Sequence, residues 1–146
     1  MQPVYPFQPM SQFPKEWSFL TDAWKFALVL TGREADATAL VSAALGEVSK
    51  RADLHESERT KRVLFSILCR KGAKAAAAGS PETPAERATF FLHQLPEPSR
   101  QAIALLCLGI FSGEHLAGLL RKSEPQLAQC LDEARAALKQ HLAPKP

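Results

Sequence analysis

The chain has 146 residues, enough for one ordinary domain or two small ones. Its hydrophobic content of 46% lies far above that of disordered proteins and supplies enough apolar side chains for a buried core. A formal net charge of +3 does not by itself indicate nucleic-acid binding, because basic binding domains usually carry a larger excess.

Residues 1–16 predict a proline-rich N-terminal arm. Four of the first fourteen residues are prolines, which lack a backbone donor and interrupt helices. Tyr5, Phe7 and Phe13 stand between the prolines. Two alternatives follow: an arm that these aromatic side chains hold against a surface, or a flexible terminus.

Residues 17–74 predict a domain of three helices. Apolar residues recur at helical spacing across 17–31, and Gly32 ends that first helix. The same spacing continues across 37–48 in a second helix. After a polar break, a third helix is expected over 57–74.

The third helix carries a basic face. At 100° per residue its apolar side chains share one side of the helix, and Arg59, Arg62, Ser66 and Arg70 line the other. From position 59 to position 74 there are six basic residues and no acidic one: Arg59, Lys61, Arg62, Arg70, Lys71 and Lys74. This basic face predicts contact with nucleic acid or with an acidic partner, and a plain solvated surface is the alternative.

Residues 75–83 predict a linker, and residues 84–142 a second helical domain. The linker is rich in alanine, glycine, serine and proline, which favour a break between folded units. Thr83, Pro84 and Glu86 then give the cap, the proline at the first helical position and the glutamate of a capping box. A helix is therefore expected to begin at the end of the linker.

The last two helices have the spacing of a helix-turn-helix. An apolar helix over 100–108 precedes them. Ser112 caps a short helix, and Ser123 caps a long one with Gln126 in the third position of its box. Since no segment alternates with period two, the predicted fold class is all-α, with three helices before the linker and four after it. A plain helical bundle is the alternative to a helix-turn-helix.

The outward side of the last helix is acidic. Asp132 and Glu133 lie where a helix that reads DNA would meet phosphates. Cationic side chains supply most of the non-specific affinity for DNA, so this side predicts weak binding to a duplex or a protein target instead.

The sequence shows no signature of an enzyme or a metal site. It contains no glycine-rich phosphate loop, no HExxH and no GxSxG, and therefore predicts no cofactor, metal or small-molecule substrate. Cys69, Cys107 and Cys130 fall in apolar helical segments and are expected to be buried. No signal segment or membrane-spanning stretch is evident, so we expect a cytoplasmic chain that does not enter a membrane.

Two stretches together resemble extracytoplasmic-function (ECF) sigma factors. "WKFALVLTGREADATALVSAAL" is similar to the start of sigma region 2, which commonly reads as a helix, "LTGD" and "ADAEDLVQE". After the linker, "LHQLPEPSRQAIALLCLGIFSGEHLAGLLRKSEPQLAQCLDEARAAL" resembles region 4, with its "LxxLPxxxRxxxxL", helix-turn-helix and "RAxxxL". The likeness covers most of residues 17–142, in the family's order.

The resemblance implies a two-domain subunit that binds core RNA polymerase and directs it to promoter DNA. In the family the second helix of region 2 docks on polymerase, which here points to Asp36, Leu40, Val41 and Leu45. The third helix and the loop before it melt and read the minus-ten element, a task that would fall to the basic face. Region 4 reads the minus-thirty-five element, for which the candidate contacts are Arg121, Lys122, Ser123, Gln126, Gln129 and Lys139.

The sequence also departs from the family at positions that matter. The acidic pair and glutamine of "EDLVQ" are replaced by Thr38, Ala39 and Ser42, and the usual tryptophan of the third helix is absent. Where the recognition helix often carries threonine, lysine and two arginines, this chain has Gln126, Ala128, Cys130 and Glu133.

Three functions remain open on this basis. The first is a divergent ECF-type sigma factor in transcription initiation. The second is a sigma-like adaptor that binds an anti-sigma or other regulatory protein without reading DNA, through Asp132 and Glu133 or through the apolar seam between its halves. The third is a plain helical interaction domain.

Overall fold

The computed structural model describes residues 18–51, 57–75, 78–109 and 111–142. These ranges form seven α-helices and contain no strand: α1 Phe19–Thr31, α2 Glu34–Ser49, α3 Ser57–Gly72, α4 Pro84–His93, α5 Ser99–Leu108, α6 Gly113–Leu120 and α7 Glu124–Leu142. The all-α fold class and the division into three helices and four helices are confirmed. The predicted N-terminal arm, residues 1–16, lies outside the described residues, as does part of the predicted linker.

The helices begin and end at the signals that the sequence carries. Gly32 ends α1 with a left-handed backbone at φ 77°, where a side chain would be strained. Thr83 and Glu86 form the predicted capping box at the start of α4. The hydroxyl of Ser112 accepts the amide of His115 at the start of α6.

Helix α1 is the centre of the molecule. Ten of its thirteen residues are buried, which is typical of a helix that is covered on all sides. It contacts α2 and α3 on one side and α4 and α5 on the other. The N-terminal half (α1–α3) and the C-terminal half (α4–α7) therefore pack against each other along α1.

One hydrophobic core runs through both halves. Its fully buried large side chains come from α1, α2, α3, α5 and α6: Phe26, Phe65, Leu20, Leu28, Leu30, Leu64, Ile67, Leu68, Leu105, Leu116, Val41 and Val48. A smaller cluster of Leu95, Ile103 and Ala134 joins α7 to the chain around α5. Burial of each large apolar side chain stabilises the fold by about 1.5–3 kcal/mol, so separating the halves exposes apolar surface at considerable cost.

Helix α5 turns a different side to the core than its sequence predicts. Cys107 is exposed, although the sequence predicts that it is buried, and the neighbouring Leu106 is 39% exposed. Gln101 and Leu105 face the core instead. The prediction that all three cysteines are buried is therefore wrong for Cys107, because the apolar run of α5 extends around the whole helix and its sequence alone does not fix the inward side.

No helix in the described part of the chain is both long enough and apolar enough to cross a membrane.

Candidate functional site

Acidic side chains pair with Lys61, Arg70 and Lys71 on α3. The guanidinium of Arg70 donates to Glu47 over 2.7 Å, and the ammonium of Lys71 lies 2.9 Å from the other carboxylate oxygen. Lys61 pairs with Glu58 at 3.1 Å. The hydrogen bond from Lys71, with the help of Arg70, holds the pKa of Glu47 below its usual value. Arg70 and Lys71 thus pair with a carboxylate from α2, a neighbouring helix.

Three other basic residues of 59–74 have exposed side chains. Arg59 and Arg62 lie on α3, and Lys74 lies in the turn after it. The exposed basic surface around α3 is therefore smaller than the six residues that the sequence suggested.

One flank of α3 is covered by the segment that leads into the helix-turn-helix. The ring of Phe111 meets the buried ring of Phe65 edge to face, with centroids 5.2 Å apart. The ammonium of Lys61 lies 5.1 Å from the centroid of the Phe111 ring, within reach of a cation–π interaction. Helix α6 also contacts α3 directly. Phe111 and α6 therefore cover one side of α3, the helix whose position corresponds to the one that reads the minus-ten element in ECF sigma factors.

A groove lies between α3 and α6, and we call it the arginine groove. It has a volume of about 430 Å³. Arg51 at the end of α2, Arg62 and Arg70 on α3, and Arg121 after α6 line it, with Glu114 and His115 as further polar side chains. Val63, Ile67 and Leu119 supply its apolar lining. Both halves of the chain therefore contribute to one basic concavity.

The four residues predicted to contact polymerase do not share one exposed surface. Asp36 is exposed near the start of α2, while Leu40 and Leu45 are half-buried and pack on the core. Val41 is 1% exposed. The Val41 side chain belongs to the core, because it lies on the side of α2 that faces α1 and α3, and in this conformation it is not available to a partner.

The residues predicted to read DNA from α7 are engaged in local hydrogen bonds. The amide of Ser123 donates to the side-chain oxygen of Gln126 over 2.9 Å, and the Gln126 amide donates to the Ser123 hydroxyl over 3.3 Å. This reciprocal pair is the predicted capping box. The side chain of Gln129 donates to Glu133 over 3.3 Å. Hydrogen-bonding groups that were assigned to bases thus stabilise the helix itself.

The cations near α7 are dispersed. Arg121 ends α6 with a left-handed backbone at φ 55°, and its side chain lines the arginine groove. Lys122 is half-buried, and Lys139 is exposed near the far end of α7. These side chains do not form a continuous basic surface along α7.

A second groove, between α6 and α7, has an apolar floor and an acidic rim. It has a volume of about 470 Å³ and is lined by Leu127, Ala128 and Leu131, with Glu114 and Glu124 at its edge. We call it the acidic-rimmed groove. Asp132 and Glu133 are further exposed acidic residues along α7, outside the groove lining. The groove lacks the cations that would draw phosphates, and it suits an apolar side chain flanked by basic residues.

Buried polar groups fasten the two halves together, and Glu86 is the principal one. Its side chain is 4% exposed. One carboxylate oxygen accepts the amide of Glu34, in the N-terminal half, over 2.9 Å. The other accepts the amides of Glu82 and Thr83 over 2.8 and 3.3 Å and pairs with Arg33 at 3.4 Å. These donors, the amide of Glu34 first among them, hold the pKa of Glu86 below its usual range.

Three further side chains of the C-terminal half bind carbonyl groups of the N-terminal half. His93, 2% exposed, joins the Val29 carbonyl at 2.8 Å and accepts the amide of Ala78 over 3.0 Å. Because one ring nitrogen accepts, the other donates to Val29, which assigns the neutral ring. Burial in the first place lowers the pKa of His93. Arg100 donates to the Leu30 carbonyl and Gln101 to the Cys69 carbonyl, each over 3.0 Å.

Sequence reasoning missed these fastening groups. The capping-box signal did identify Glu86, but only as a local partner of Thr83. His93 gave no signal beyond a lone histidine beside an apolar helix face. Their partners in the N-terminal half are backbone groups near the end of α1, at the start of α2 and on α3, and no side-chain pattern marks such a partner in a sequence.

The described residues hold no group of three or more histidine, cysteine, aspartate or glutamate side chains placed to bind a metal ion.

Comparison with known proteins relates the fold, and no more, to a regulator of sigma factors. No protein-family model and no curated protein sequence matches the chain. The solved structure of the anti-anti-sigma factor PhyR complexed with the anti-sigma factor NepR from Bartonella quintana contains a similar fold. The TM-score is 0.65 and the sequence identity 17%, over 92% of this chain. The chain spans about half of the length of that protein, 51%.

Proposed function

We propose that this chain is a sigma-like adaptor that binds a regulatory protein of the anti-sigma class and does not read promoter DNA. One observation carries the proposal: the two sigma-like halves share a single hydrophobic core, and α3 packs against α6. A sigma factor of the family reads two promoter elements with separate domains. Here the helix for the first element and the helix-turn-helix for the second are packed together.

The charges on both candidate readers support the same proposal. Glu47 and Glu58 neutralise three cations of α3. On α7 the acidic-rimmed groove lies where a helix that reads DNA would carry cations to attract the phosphates of a duplex. Each phosphate contact that is lost removes a counterion-release contribution to DNA affinity. An exposed apolar groove beside charged residues is instead typical of a site for a protein partner.

The structural likeness adds support at the level of the fold. The similar chain is described as an anti-anti-sigma factor and was crystallised with an anti-sigma factor. A partner of that class fits the acidic-rimmed groove if it presents an apolar residue flanked by lysine or arginine. The groove of about 470 Å³ is large enough for one or two such side chains.

A second candidate function, a divergent ECF-type sigma factor, is favoured by the exposed cations of α3. Arg59, Arg62 and Lys74 could contact phosphates in the promoter. This function requires core RNA polymerase to separate the halves and expose the flank of α3 that Phe111 covers. The free energy for that separation would have to come from contacts with polymerase.

A pair of matched variants on α7 tests the proposed adaptor function. Ala128 lies in the acidic-rimmed groove, and Ala136 is exposed on the same helix outside it. Ala128→Glu puts a long charged side chain on the apolar floor, where it blocks and polarises the space for the partner's apolar residue, and Ala136→Glu makes the same chemical change elsewhere. Binding of a purified anti-sigma protein from the same organism is measured by calorimetry. We expect Ala128→Glu to weaken it by at least about tenfold and Ala136→Glu to change it by less than about twofold.

Parallel measurements with core RNA polymerase and promoter DNA decide between the two candidates. An adaptor shows no complex with core polymerase, and its residual DNA binding has a shallow dependence on salt. A sigma factor binds core polymerase, and its DNA affinity falls steeply with salt, by about one power of salt concentration for each phosphate contact. Tight binding to polymerase together with no binding to anti-sigma proteins would overturn the adaptor proposal.

A further inference from the structure

We propose that the arginine groove binds a small polyphosphate ligand, of the size of a nucleotide, that joins the two halves of the chain. The site shares only Glu114 with the acidic-rimmed groove, and the inference does not depend on the adaptor function. Arg62 and Arg70 of the N-terminal half and Arg121 of the C-terminal half line the same groove. A ligand that contacts all three residues bridges α3 and α6.

The dimensions of the groove favour a small molecule over a segment of a protein or a duplex. Its volume of about 430 Å³ falls within the range of about 300–1,000 Å³ that small-molecule sites have. Helix α6 has eight residues, so that wall of the groove is only about 12 Å long. A docked helix or a DNA duplex needs a longer surface, whereas a nucleotide fits within this length.

The charge of the groove suits an anion that carries more than one negative charge. Four arginines line it, against the single carboxylate of Glu114. Arg70 also pairs with Glu47, and even then positive side chains outnumber negative ones. The planar guanidinium group donates two parallel hydrogen bonds to phosphate oxygens, and several such groups match a ligand with more than one phosphate. The mutual repulsion of the arginines is relieved when an anion binds between them.

Arg121 ends α6 in the left-handed conformation that is common where helices end, and this geometry provides a test of its role. Arg121 has φ 55° at the end of α6, a left-handed conformation that glycine adopts at lower cost. In the part of the chain that the structure describes, the other residues with positive φ are Gly32 and Gly109. The Arg121 guanidinium lines the arginine groove.

The lining also provides a place for the uncharged part of a nucleotide. Val63, Ile67 and Leu119 form the apolar portion of the groove. A base or sugar packed there adds affinity that a bare polyphosphate lacks. The chemistry common to all such ligands is a chain of at least two phosphates.

Three variants test the proposal, with inorganic tripolyphosphate as the first probe. Binding to the full chain is measured by calorimetry, and thermal unfolding is followed with and without the probe. We expect wild type to bind and to unfold at a higher temperature when the probe is present. Arg62→Ala and Arg121→Gly should each weaken binding by about tenfold or more. Arg135→Ala, an exposed arginine on α7 outside the groove, should change it by less than about twofold.

Arg121→Gly separates loss of binding from loss of folding. Because glycine relieves the left-handed strain, this variant should unfold about 2–4 °C higher than wild type in the absence of ligand. At the same time its affinity for tripolyphosphate should fall. A variant that is more stable and yet binds less tightly cannot owe its loss of binding to misfolding.

Further probes identify the ligand and can overturn the proposal. A nucleoside diphosphate that binds at least about tenfold more tightly than pyrophosphate assigns the site to a nucleotide, and equal affinities assign it to the polyphosphate alone. Equal weakening by Arg62→Ala and Arg135→Ala would show a general charge effect and refute the site. A pentaglutamate peptide or a short DNA duplex that binds the groove more tightly than tripolyphosphate would refute the ligand class.

Discussion

Replacing Glu86 by glutamine tests whether the two halves are fastened together in solution. The Glu86 carboxylate accepts amides from both halves, those of Glu34, Glu82 and Thr83, at 2.8–3.3 Å. Glutamine has the same shape but exchanges one accepting oxygen for an NH₂ group. Whichever way the new side-chain amide is oriented, its NH₂ group faces at least one backbone N–H, and two donors cannot form a hydrogen bond. The change removes the negative charge that Arg33 pairs with, at 3.4 Å.

The size of the effect follows from the hydrogen bonds that are lost. A hydrogen bond between a charged group and a buried amide contributes about 1.5–3 kcal/mol. Glu86→Gln loses one such bond outright, so we expect the free energy of unfolding to fall by about 2 kcal/mol. Glu86→Ala leaves all the amides without their acceptor and should cost about 3–5 kcal/mol. Glu82 offers the control: its side chain is 77% exposed and it pairs with the same arginine at 3.5 Å.

The assay is equilibrium unfolding in urea at pH 7, followed by circular dichroism. With a slope of about 2 kcal/mol/M, Glu86→Gln should lower the midpoint by about 1 M, and Glu82→Gln by less than about 0.3 M. Since the folded pKa of Glu86 lies below its usual 4.5, its contribution is complete above that value and is lost as pH falls through the folded pKa. The difference between wild type and Glu86→Gln should therefore shrink on acidification below about pH 4.5. Equal effects of Glu86→Gln and Glu82→Gln at pH 7 would show that the halves are not joined through this carboxylate.

Three further predictions follow from single residues. Burial lowers the folded pKa of His93, so the contribution of the neutral ring to stability is complete above the usual 6.5 and is lost as pH falls through the folded pKa. The temperature of thermal unfolding should therefore fall more steeply below about pH 6.5 in wild type than in His93→Gln. Gly72→Ala, whose Cβ would overlap a leucine of α1, should cost about 1–3 kcal/mol in urea unfolding, whereas Gly46→Ala, in open space, should stabilise by up to about 1 kcal/mol. Iodoacetamide should label exposed Cys107 first and Cys69 last by mass spectrometry, since burial raises the pKa of Cys69 to about 12.

The sequence predicts the helices well because their signals are local. The capping boxes at Thr83 and at Ser123 depend on residues three positions apart, and the structure contains both. The glycine that ends α1 acts through its own backbone. Such signals need no knowledge of the tertiary arrangement, and for this reason the all-α fold and the order of its helices could be derived without it.

The candidate site could not be derived in the same way, because it depends on contacts between distant parts of the chain. The cations at Arg70 and Lys71 look unopposed along α3, yet Glu47 lies more than twenty residues away and meets both. The helical periodicity of α5 likewise left its inward side ambiguous, and Cys107 was placed on the wrong side. The packing of α6 against α3, which creates the arginine groove, has no counterpart in any local pattern.

The acidic side of α7 finds an explanation in the same arrangement. Asp132 lies 3.5 Å from Arg135, which partly balances its charge, and Glu133 accepts a hydrogen bond from the uncharged amide of Gln129. Exposed pairs of this type contribute only a few tenths of a kcal/mol, which is too little to explain carboxylates as devices for stability. Their consequence for a duplex is repulsion, and for a basic protein partner it is attraction. A helix-turn-helix that is held against α3 and bears this charge is suited to select a protein over DNA. Asp132→Arg combined with Glu133→Arg should accordingly weaken a protein complex; strengthened DNA binding with an unaltered protein complex would contradict this explanation.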